Sequence, residues 1–455
     1  MYLSLSDWTS RKAQSPSKCA SVAFRASPTV IALGIVSMLT DISSESVAAI
    51  LPLYITGALG LSMVAYGFFE GMNQSVSALV RIAAGYTADR SNRPKPIATA
   101  GYSLSMLARV GLLFVNGVAG IMAVVGIDRI GKGIRTAPRD AMIQQASQPE
   151  HLARSFGLHR LLDTVGATVG PLLAFIVLVF IPDGYRAVFV MSLAAAILGV
   201  AVLGLVVPNK KLHSDITGTL ASAPQAEDTA TANSAAQDRS EESMRQEVVQ
   251  GQVVTPTQKP TVRMFTRGRF GRLLVAAALL GLLTVGDGFI YLALLEHGQL
   301  DTKWFPLLFV GSNFVFLILA VPLGKMADKT SRAGIFAIGH LALALAYFCA
   351  SRGGSVVMIL LCLALLGTFY AATDGVLAAL AGQLSPSGST ATGIGAAQTV
   401  VAVSRLVAST GFGVLWVLCG GTTVMSSAAV LLGVLVPMAW LLLMDKRTAV
   451  DGAAT

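Results

Sequence analysis

Charged residues are scarce in this chain. Asp, Glu, Lys and Arg make up 13% of the 455 residues, and hydrophobic residues make up 54%. A soluble domain carries about 25% charged residues, so this composition excludes an ordinary soluble protein. The apolar runs do not alternate with a period of two, which excludes a transmembrane barrel. The sequence therefore predicts an all-α membrane protein, in which each crossing of the hydrocarbon core takes about 20 apolar residues.

Paired cysteines, a leader and a metal-binding pattern are lacking as well. The four cysteines (Cys19, Cys349, Cys362 and Cys419) have no CxxC spacing, which excludes a disulfide framework. The polar N-terminus has no continuous apolar core, so we expect no cleaved signal peptide. None of the fifteen methionines lies three or four residues from another, a spacing that argues against a Cu(I) site. We therefore expect neither a metal nor another cofactor.

The apolar runs predict twelve transmembrane helices. The spans lie at about 29–57, 63–86, 97–116, 118–138, 155–181, 186–207, 271–295, 304–325, 334–351, 355–381, 392–418 and 422–444. Lys and Arg cluster in the connectors at every second helix end, as the positive-inside rule predicts for cytoplasmic loops. This pattern explains the net charge of +9, so the charge does not indicate a nucleic-acid partner. It also predicts that both termini lie in the cytoplasm. We expect a multi-pass protein of the bacterial inner membrane.

The middle of the chain has a different composition. Residues 209–262 are mostly small and polar, with almost no aromatic residue, so this segment cannot bury enough surface to fold alone. We interpret it as a flexible cytoplasmic linker. It separates an N-terminal six-helix bundle (29–208) from a C-terminal one (263–446). Cytoplasmic tails at 1–28 and 447–455 complete the chain.

The two halves also repeat each other. The pattern Gly-x-x-x-Asp-Arg-x-x-Arg at residues 85–93 recurs as Gly-x-x-x-Asp-Lys-x-x-Arg at residues 324–332. Parallel repeats of six helices are the architecture of one large class of secondary transporters, whose substrate site lies near the bilayer midplane. The repeat therefore predicts two pseudo-symmetric bundles with a cavity between them.

This repeated pattern resembles the signature loop of the major facilitator superfamily, which lies between the second and third helices. In that family the glycine lets two helices approach, and the Asp and Arg lock neighbouring helix ends in one conformation. The resemblance implies a cytoplasmic gate latch, with Asn92 in place of the usual glycine. A simple positive-inside connector is the alternative. The implied latch consists of Gly85, Asp89, Arg90, Arg93, Gly324, Asp328, Lys329 and Arg332.

The fourth predicted helix carries a dense group of charges. Its Gly126-x4-Gly131-Lys132 pattern approaches a phosphate-binding loop, but the following Ser or Thr and the preceding strand are missing. An RxxxGxxR-like motif on this helix resembles the same superfamily and implies that Arg129 is a membrane-embedded charge. The spacing predicts an ion pair between Asp128 and Lys132. Arg129 would then pair with an acid of helix one or two, for which the candidates are Asp41, Glu45 and Glu70.

Buried acids are the candidates for proton coupling, because an ionisable group at membrane depth costs about 2.5–3.5 kcal/mol on insertion scales. Asp41 and Glu45 share one face of helix one and are the first choice, followed by Glu70 and Asp287. Either Asp287 or Asp374 is the predicted counter-charge of Arg405. The predicted substrate cavity takes its polar groups from Asn73, Gln74, Arg129, Lys132, Arg135, Asp374, Gln398 and Arg405.

The fifth predicted helix contains a Gly-x-x-x-Gly-Pro element, which resembles part of a helix-five motif of proton-coupled drug exporters. Close packing and kinking are the alternative role for these residues. Near its start, His159 and Asp163 lie four residues apart. They form either a proton-handling pair or, with Arg160, a structural ion pair. The predicted helix-five motif comprises His159, Arg160, Asp163, Gly166, Gly170 and Pro171.

These features predict a proton-coupled secondary transporter that moves a small molecule by alternating access. The helix-five element favours efflux in exchange for protons, as in the bacterial drug or metabolite antiporters that the chain resembles. Import of a small anionic metabolite is the first alternative, and a transport-inactive membrane sensor is the second. No catalytic set is recognisable, so we do not expect an enzyme. We expect a monomer that interacts with its substrate, protons and the bilayer.

Overall fold

The computed structural model describes residues 27–90, 94–115, 117–148, 151–209, 268–297, 300–385 and 390–444. Within these ranges, the side chains of residues 78–79, 81–90, 152–153, 297 and 390–392 are not described. The predicted linker lies outside the described residues except for its first position, and both predicted tails lie outside them except for residues 27 and 28 at the end of the first tail.

The first half of the chain folds into six long helices. Proline begins α1 and α3, where its missing N–H leaves no hydrogen bond unmade. A π-helical turn at Tyr54–Ala58 extends α1. The six helices are α1 (Pro28–Leu53), α2 (Met63–Arg90), α3 (Pro94–Phe114), α4 (Val118–Gln145), α5 (Leu152–Phe180) and α6 (Tyr185–Leu205).

The second half contains seven α-helices and a short 3-10 helix (Thr302–Trp304) in its described residues. Serine side chains cap two of them: the hydroxyl oxygens of Ser331 and Ser355 accept hydrogen bonds from the backbone N–H groups of Gly334 and Met358. The helices are α7 (Gly268–Gly281), α8 (Asp287–His297), α9 (Phe305–Lys329), α10 (Arg332–Arg352), α11 (Val356–Leu384), α12 (Thr390–Cys419) and α13 (Gly421–Leu443).

The prediction of one continuous span at 271–295 is wrong, because α7 and α8 are separated by residues 282–286. Backbone groups freed by such a break need partners inside a membrane. Tyr347 of α10 supplies them: its hydroxyl donates to the carbonyl of Leu283 and accepts from the N–H of Val285, both at 2.9 Å. The break is thus a built feature, stabilised by a buried tyrosine.

Nine helices in the described part of the chain are long and apolar enough to cross a membrane. The long helices α2 and α4 do not qualify, and both carry ionisable side chains in their middle turns, such as Glu70 and Asp128. The helices α7 and α8 are short, with 14 and 11 residues. The fold is therefore that of a multi-pass helical membrane protein.

The helices of each half pack mainly on one another. In the first half α1 lies against α5 and α6, and α4 lies against α2 and α3. In the second half α11 lies against α9 and α10, and α13 lies against α7 and α10. Between the halves α2 packs along α12 and α5 packs on α9. Below, the end of the molecule that carries residues 54–62 is called the α1–α2 end, and the opposite one is called the α2–α3 end.

Aromatic side chains join the halves at the α1–α2 end. Phe289 of α8 contacts Tyr66 of α2, as well as Phe412 and Trp416 of α12, with ring centroids 4.8–5.8 Å apart. The backbone of α2 also approaches α12 closely at Gly67, where a Cβ atom would collide with the carbonyl of Ser409. The halves are therefore tightly closed against each other at this end.

Candidate substrate and proton site

Two cavities lie between the halves, and Gln74 of α2 lines both of them. The smaller cavity, of about 190 Å³, lies toward the α1–α2 end. Its polar lining comes from Glu45, Tyr66, Glu70, Asn73, Gln74, Arg109, Asp128, Arg129, Asp287, Asn313 and Tyr370. The larger cavity, of about 460 Å³, extends toward the α2–α3 end. Its polar lining comes from Gln74, Arg160, Thr284, His340, Thr373, Asp374, Gln398 and Arg405.

A chain of hydrogen bonds connects the two cavities across the interface of the halves. The amide nitrogen of Gln74 donates to Oε1 of Glu70 at 2.9 Å. The amide oxygen of the same Gln74 accepts from Nη1 of Arg405 at 3.1 Å. Tyr66 donates to the other carboxylate oxygen of Glu70 at 3.5 Å. One neutral amide therefore joins an acid of α2 to a guanidinium of α12.

Two acids from different halves meet at the break between α7 and α8. The carboxylate of Glu70 lies directly against Gly286, where a Cβ atom would overlap it. The next residue, Asp287, begins α8 and accepts a hydrogen bond from Tyr370 of α11 at 2.5 Å. Both carboxylates line the smaller cavity, where two ionised acids repel each other. The N-terminus of α8 favours negative charge at this position.

The cations of α4 find different partners from those that the spacing predicts. Asp128 pairs with Arg109 of α3 at 3.1 Å and with its neighbour Arg129 at 2.6 Å, so the predicted pairing of Asp128 with Lys132 is wrong. The prediction that Arg129 pairs with Asp41, Glu45 or Glu70 is wrong for the same reason. Lys132 instead lies 3.9 Å from Oε1 of Glu45.

Arg109 is a buried residue that the sequence interpretation missed. Its side chain is 3% exposed and also donates to the hydroxyls of Ser43 and Ser44 on α1. The sequence feature that could have identified Arg109 is a single charge within an otherwise apolar span. A charge at membrane depth indicates a structural or functional role. Arg109 thus connects α1, α3 and α4 behind the smaller cavity.

Two residues predicted for the substrate cavity lie elsewhere. Arg135 is 3% exposed, donates to the hydroxyl of Ser105 at 3.2 Å and lies over the ring of Tyr102. Lys132 faces Glu45, and neither it nor Arg135 lines either of the two central cavities. The other predicted cavity residues line one or both of them, namely Asn73, Gln74, Arg129, Asp374, Gln398 and Arg405.

Arg405 does not pair with either acid that the sequence suggested. It binds the amide of Gln74, and its Nε has no hydrogen-bond partner among the described residues. The structure describes both Asp287 and Asp374, and neither carboxylate has an oxygen within 4.0 Å of a guanidinium nitrogen of Arg405. Arg405 therefore faces the larger cavity with its charge unpaired by a carboxylate.

Near the start of α5 a pair of acids replaces the predicted His–Asp pair. Asp163 lies within hydrogen-bonding reach of Asp41 of α1 and 3.8 Å from Arg160. His159 is buried, and neither ring nitrogen has a partner among the described residues, so the pairing of His159 with Asp163 is wrong. The structural ion pair of Arg160 with Asp163 is the alternative that the geometry supports.

The glycines of the helix-five element lie against the backbone of α1. A Cβ atom at Gly166 would meet the carbonyl of Met38, and one at Gly170 would lie 2.9 Å from the carbonyl of Ile42. Pro171 follows inside the helix. Close packing therefore accounts for these glycines without any reference to the direction of transport.

The implied gate latch is described only in its second copy. Arg332 pairs with Asp328 at 2.8 Å on the exposed α2–α3 end, next to Lys329. Among the described residues, nothing lies within 4 Å of a Cβ atom placed at Gly324, so no described helix packs closely there as the resemblance implied. In the first copy Arg93 and the side chains of Gly85, Asp89 and Arg90 lie outside the described residues.

Comparison with known proteins defines the class. The sequence profile of the Major Facilitator Superfamily matches residues 33–409, and the chain therefore belongs to that family. An uncharacterized MFS-type transporter of Methanocaldococcus jannaschii is 26% identical over 404 residues, which cover 86% of this chain and 89% of that one. The protein is thus a transporter of the multi-pass membrane type and not an enzyme.

Solved structures of two transporters share the fold. The nucleoside transporter NupG superposes with a TM-score of 0.72 at 12% identity, over 91% of this chain and 100% of that one. A bacterial homolog of the human lysosomal transporter Spinster, in an inward-facing and unoccupied conformation, superposes with a TM-score of 0.65 at 15% identity. This match covers 91% of this chain and 96% of the homolog. At these identities the similarity shows the fold alone.

Proposed function

We propose that the protein is a proton-coupled secondary transporter that moves a small molecule by alternating access of a cavity between two six-helix bundles. The observation that carries this proposal is the meeting of Glu70 and Asp287 at the break between α7 and α8. These acids come from opposite halves, so their separation changes when the halves rock. Two ionised carboxylates repel each other, and a proton bound by one of them favours the closed α1–α2 end.

The twelve-crossing arrangement follows if α7 and α8 together form the seventh crossing, and if α2 and α4 span the membrane despite their buried charges. The charges of α4 have protein partners, which lowers the cost of burying them. Broken helices at the midplane are typical of transporter binding sites. A reporter fused at Thr455 is expected to be active only on the cytoplasmic side, and activity on the outer face would refute this topology.

We infer from the distribution of basic residues that the α2–α3 end faces the cytoplasm. Its described connectors and helix ends carry Lys95, Arg154, Arg269, Arg272, Lys325, Lys329 and Arg332, whereas the α1–α2 end carries Arg186, Lys303 and Arg352. With this orientation the closed end faces outward and the larger cavity extends inward. The inward-facing conformation of the Spinster homolog is consistent with this assignment.

The test uses purified protein in liposomes with an imposed pH gradient and a trapped pH-sensitive dye, screened against a library of small molecules. A substrate is expected to produce proton flux with the unmodified protein. Glu70→Gln and Asp287→Asn are expected to lose this flux but to retain counterflow exchange of the same substrate. Asp301→Asn is the matched control, since Asp301 is an exposed acid that pairs with Lys303 at 2.8 Å. Proton flux that survives in both cavity variants would refute the coupling assignment.

The direction of transport separates two candidate functions. Efflux in exchange for protons is the direction that the helix-five element suggested from the sequence. Import of a small anion with protons is the second candidate, favoured by the unpaired charge of Arg405 in the larger cavity. In the dye assay, proton movement opposite to that of the substrate supports exchange, and movement in the same direction supports import.

A further inference from the structure

Gln74 occupies a position that an amide fills better than other uncharged side chains. An ionised carboxylate only accepts hydrogen bonds and a guanidinium only donates them. A side chain that bridges the two must donate at one end and accept at the other. Gln74 does so, with its nitrogen on Glu70 and its oxygen on Arg405. The two charged partners therefore determine the orientation of the amide.

We propose that Arg405 binds the anionic group of an organic substrate, and that Gln74 makes this binding depend on the protonation of Glu70. This inference rests on the proposed function and names the substrate class and the coupling residue for the same site. When Glu70 is ionised, its charge-assisted hydrogen bond holds the amide so that the oxygen of Gln74 occupies Arg405. When Glu70 takes up a proton, that bond loses its charge assistance and the amide releases Arg405 to the substrate.

The larger cavity has the composition that an organic anion requires. Its cations are Arg160 and Arg405, and its single acid is Asp374. Arg160 pairs with Asp163, whereas Arg405 has no carboxylate partner among the described residues and is the cation available to a substrate. A guanidinium forms paired hydrogen bonds with a carboxylate or a phosphate group. The remaining walls include the rings of Phe336 and Phe369, which suit a carbon skeleton. The shared chemistry is therefore an organic oxyanion of small size.

Other charged groups also act on Glu70 from the surrounding helices. Arg129 of α4 and Arg405 of α12 attract the carboxylate, and Asp287 of α8 repels it. Tyr66, one turn away on α2, donates a hydrogen bond to the same carboxylate. A substrate anion on Arg405 neutralises one of the two cations. Linkage then requires that the anion and the proton favour each other's binding.

The test measures thermal stabilisation of the full-length protein in detergent by benzoate, succinate, glycerol phosphate and sulfate, with benzamide as the neutral counterpart of benzoate. At least one organic anion is expected to raise the unfolding temperature, with an apparent affinity that tightens by up to about tenfold for each unit that the pH falls. Arg405→Gln is expected to abolish stabilisation. Glu70→Gln is expected to bind the anion with no dependence on pH. Gln74→Leu is expected to keep only the weaker dependence that comes from the direct attraction between Arg405 and Glu70.

Two variants keep the test decisive. Gln74→Met serves if Gln74→Leu does not fold, since it has similar length and lacks the amide. Ser75→Ala is the matched control, because Ser75 donates to the carbonyl of Ala402 at the same interface but has no part in the chain of hydrogen bonds. The control is expected to keep the pH dependence.

The proposal is overturned by any of several results. These are stabilisation by benzamide equal to that by benzoate, stabilisation by sulfate alone or by no anion, and a pH dependence that stays as steep as in the unmodified protein when Gln74 is replaced. The assay uses no gradient, so it fails or succeeds independently of proton-driven flux. Retained pH-dependent binding with no proton flux would refute the proposed function instead.

Discussion

The carboxyl groups of Asp41 and Asp163 lie within hydrogen-bonding reach of each other between α1 and α5. Two carboxylates at this distance repel each other when both are ionised, so the packing of α1 on α5 must offset that repulsion. The neighbouring cations Lys132 and Arg135 reduce this repulsion without pairing directly with Asp41. The pair is a structural relationship that spacing within one helix does not reveal.

This relationship predicts the effect of removing one of the two acids. Asp163→Asn removes one charge and leaves an amide that donates to Asp41, so the repulsion between the two carboxylates is lost. The unfolding temperature of this variant at neutral pH is therefore expected to be higher than that of the unmodified protein. An unchanged or lower unfolding temperature would show that the two acids do not repel each other in the folded protein.

A second prediction concerns the cluster that Arg109 forms with Asp128. Arg109→Met leaves Asp128, which is 1% exposed, with Arg129 as its one remaining ion-pair partner among the described residues. Removing one partner of a buried ion pair costs about 3–5 kcal/mol, so a marked drop in unfolding temperature is expected. The double variant Arg109→Met with Asp128→Asn is expected to recover part of the loss.

Arg186→Met provides the control for that measurement. Arg186 is an exposed arginine at the α1–α2 end, and surface substitutions of this kind usually change stability by less than about 0.5 kcal/mol. Equal losses in Arg109→Met and Arg186→Met would contradict a structural role for the cluster.

The sequence predicts the helices well because their cause is local. A run of about 20 apolar residues has no other stable form in a bilayer, so each predicted span lies on a helix. The exception is the seventh span, where Gly281, Thr284 and Gly286 weaken the helix. The backbone groups freed there form hydrogen bonds with Tyr347, which lies 64 residues after Leu283 and 62 residues after Val285.

The partners of the buried charges could not be predicted in the same way, because they come from other helices. The spacing of α4 suggested Lys132 for Asp128, but the partner from outside α4 is Arg109 of α3, whose approach depends on how two helices pack. An isolated charge at membrane depth needs a partner, so the expectation of an acid beside Arg405 is reasonable. In the structure the partner is instead the neutral Gln74 of the other half, which lies near Arg405 only because α2 packs on α12.

A third prediction tests whether the helix-five element acts through packing. Gly170→Ala places a Cβ atom 2.9 Å from the carbonyl of Ile42 and from the N–H of Ser46. Overpacking of this kind costs about 1–3 kcal/mol, so a lower unfolding temperature and reduced flux in both directions are expected. Gly157→Ala on the same helix meets open space and is expected to be neutral or slightly stabilising. Loss of exchange with normal stability in Gly170→Ala would favour the antiporter role instead.

The contact between Glu70 and Gly286 leads to the last prediction, which concerns the conformational equilibrium. Gly286→Ala puts a methyl group where the carboxylate of Glu70 lies, so the closed α1–α2 end can no longer form without displacing that side chain. The substitution is expected to disfavour the closed end by about 1–3 kcal/mol and to increase the population open at that end.

Gly411→Ala on α12 is the matched control, because a Cβ atom there meets open space. The readout is the rate at which a membrane-impermeant maleimide labels a cysteine introduced at Asn313, which lines the smaller cavity, with the exposed Cys419 replaced by serine in every variant. Faster labelling from outside in Gly286→Ala alone supports the closed-end contact, whereas equal rates in both variants would show that Glu70 does not hold the halves together.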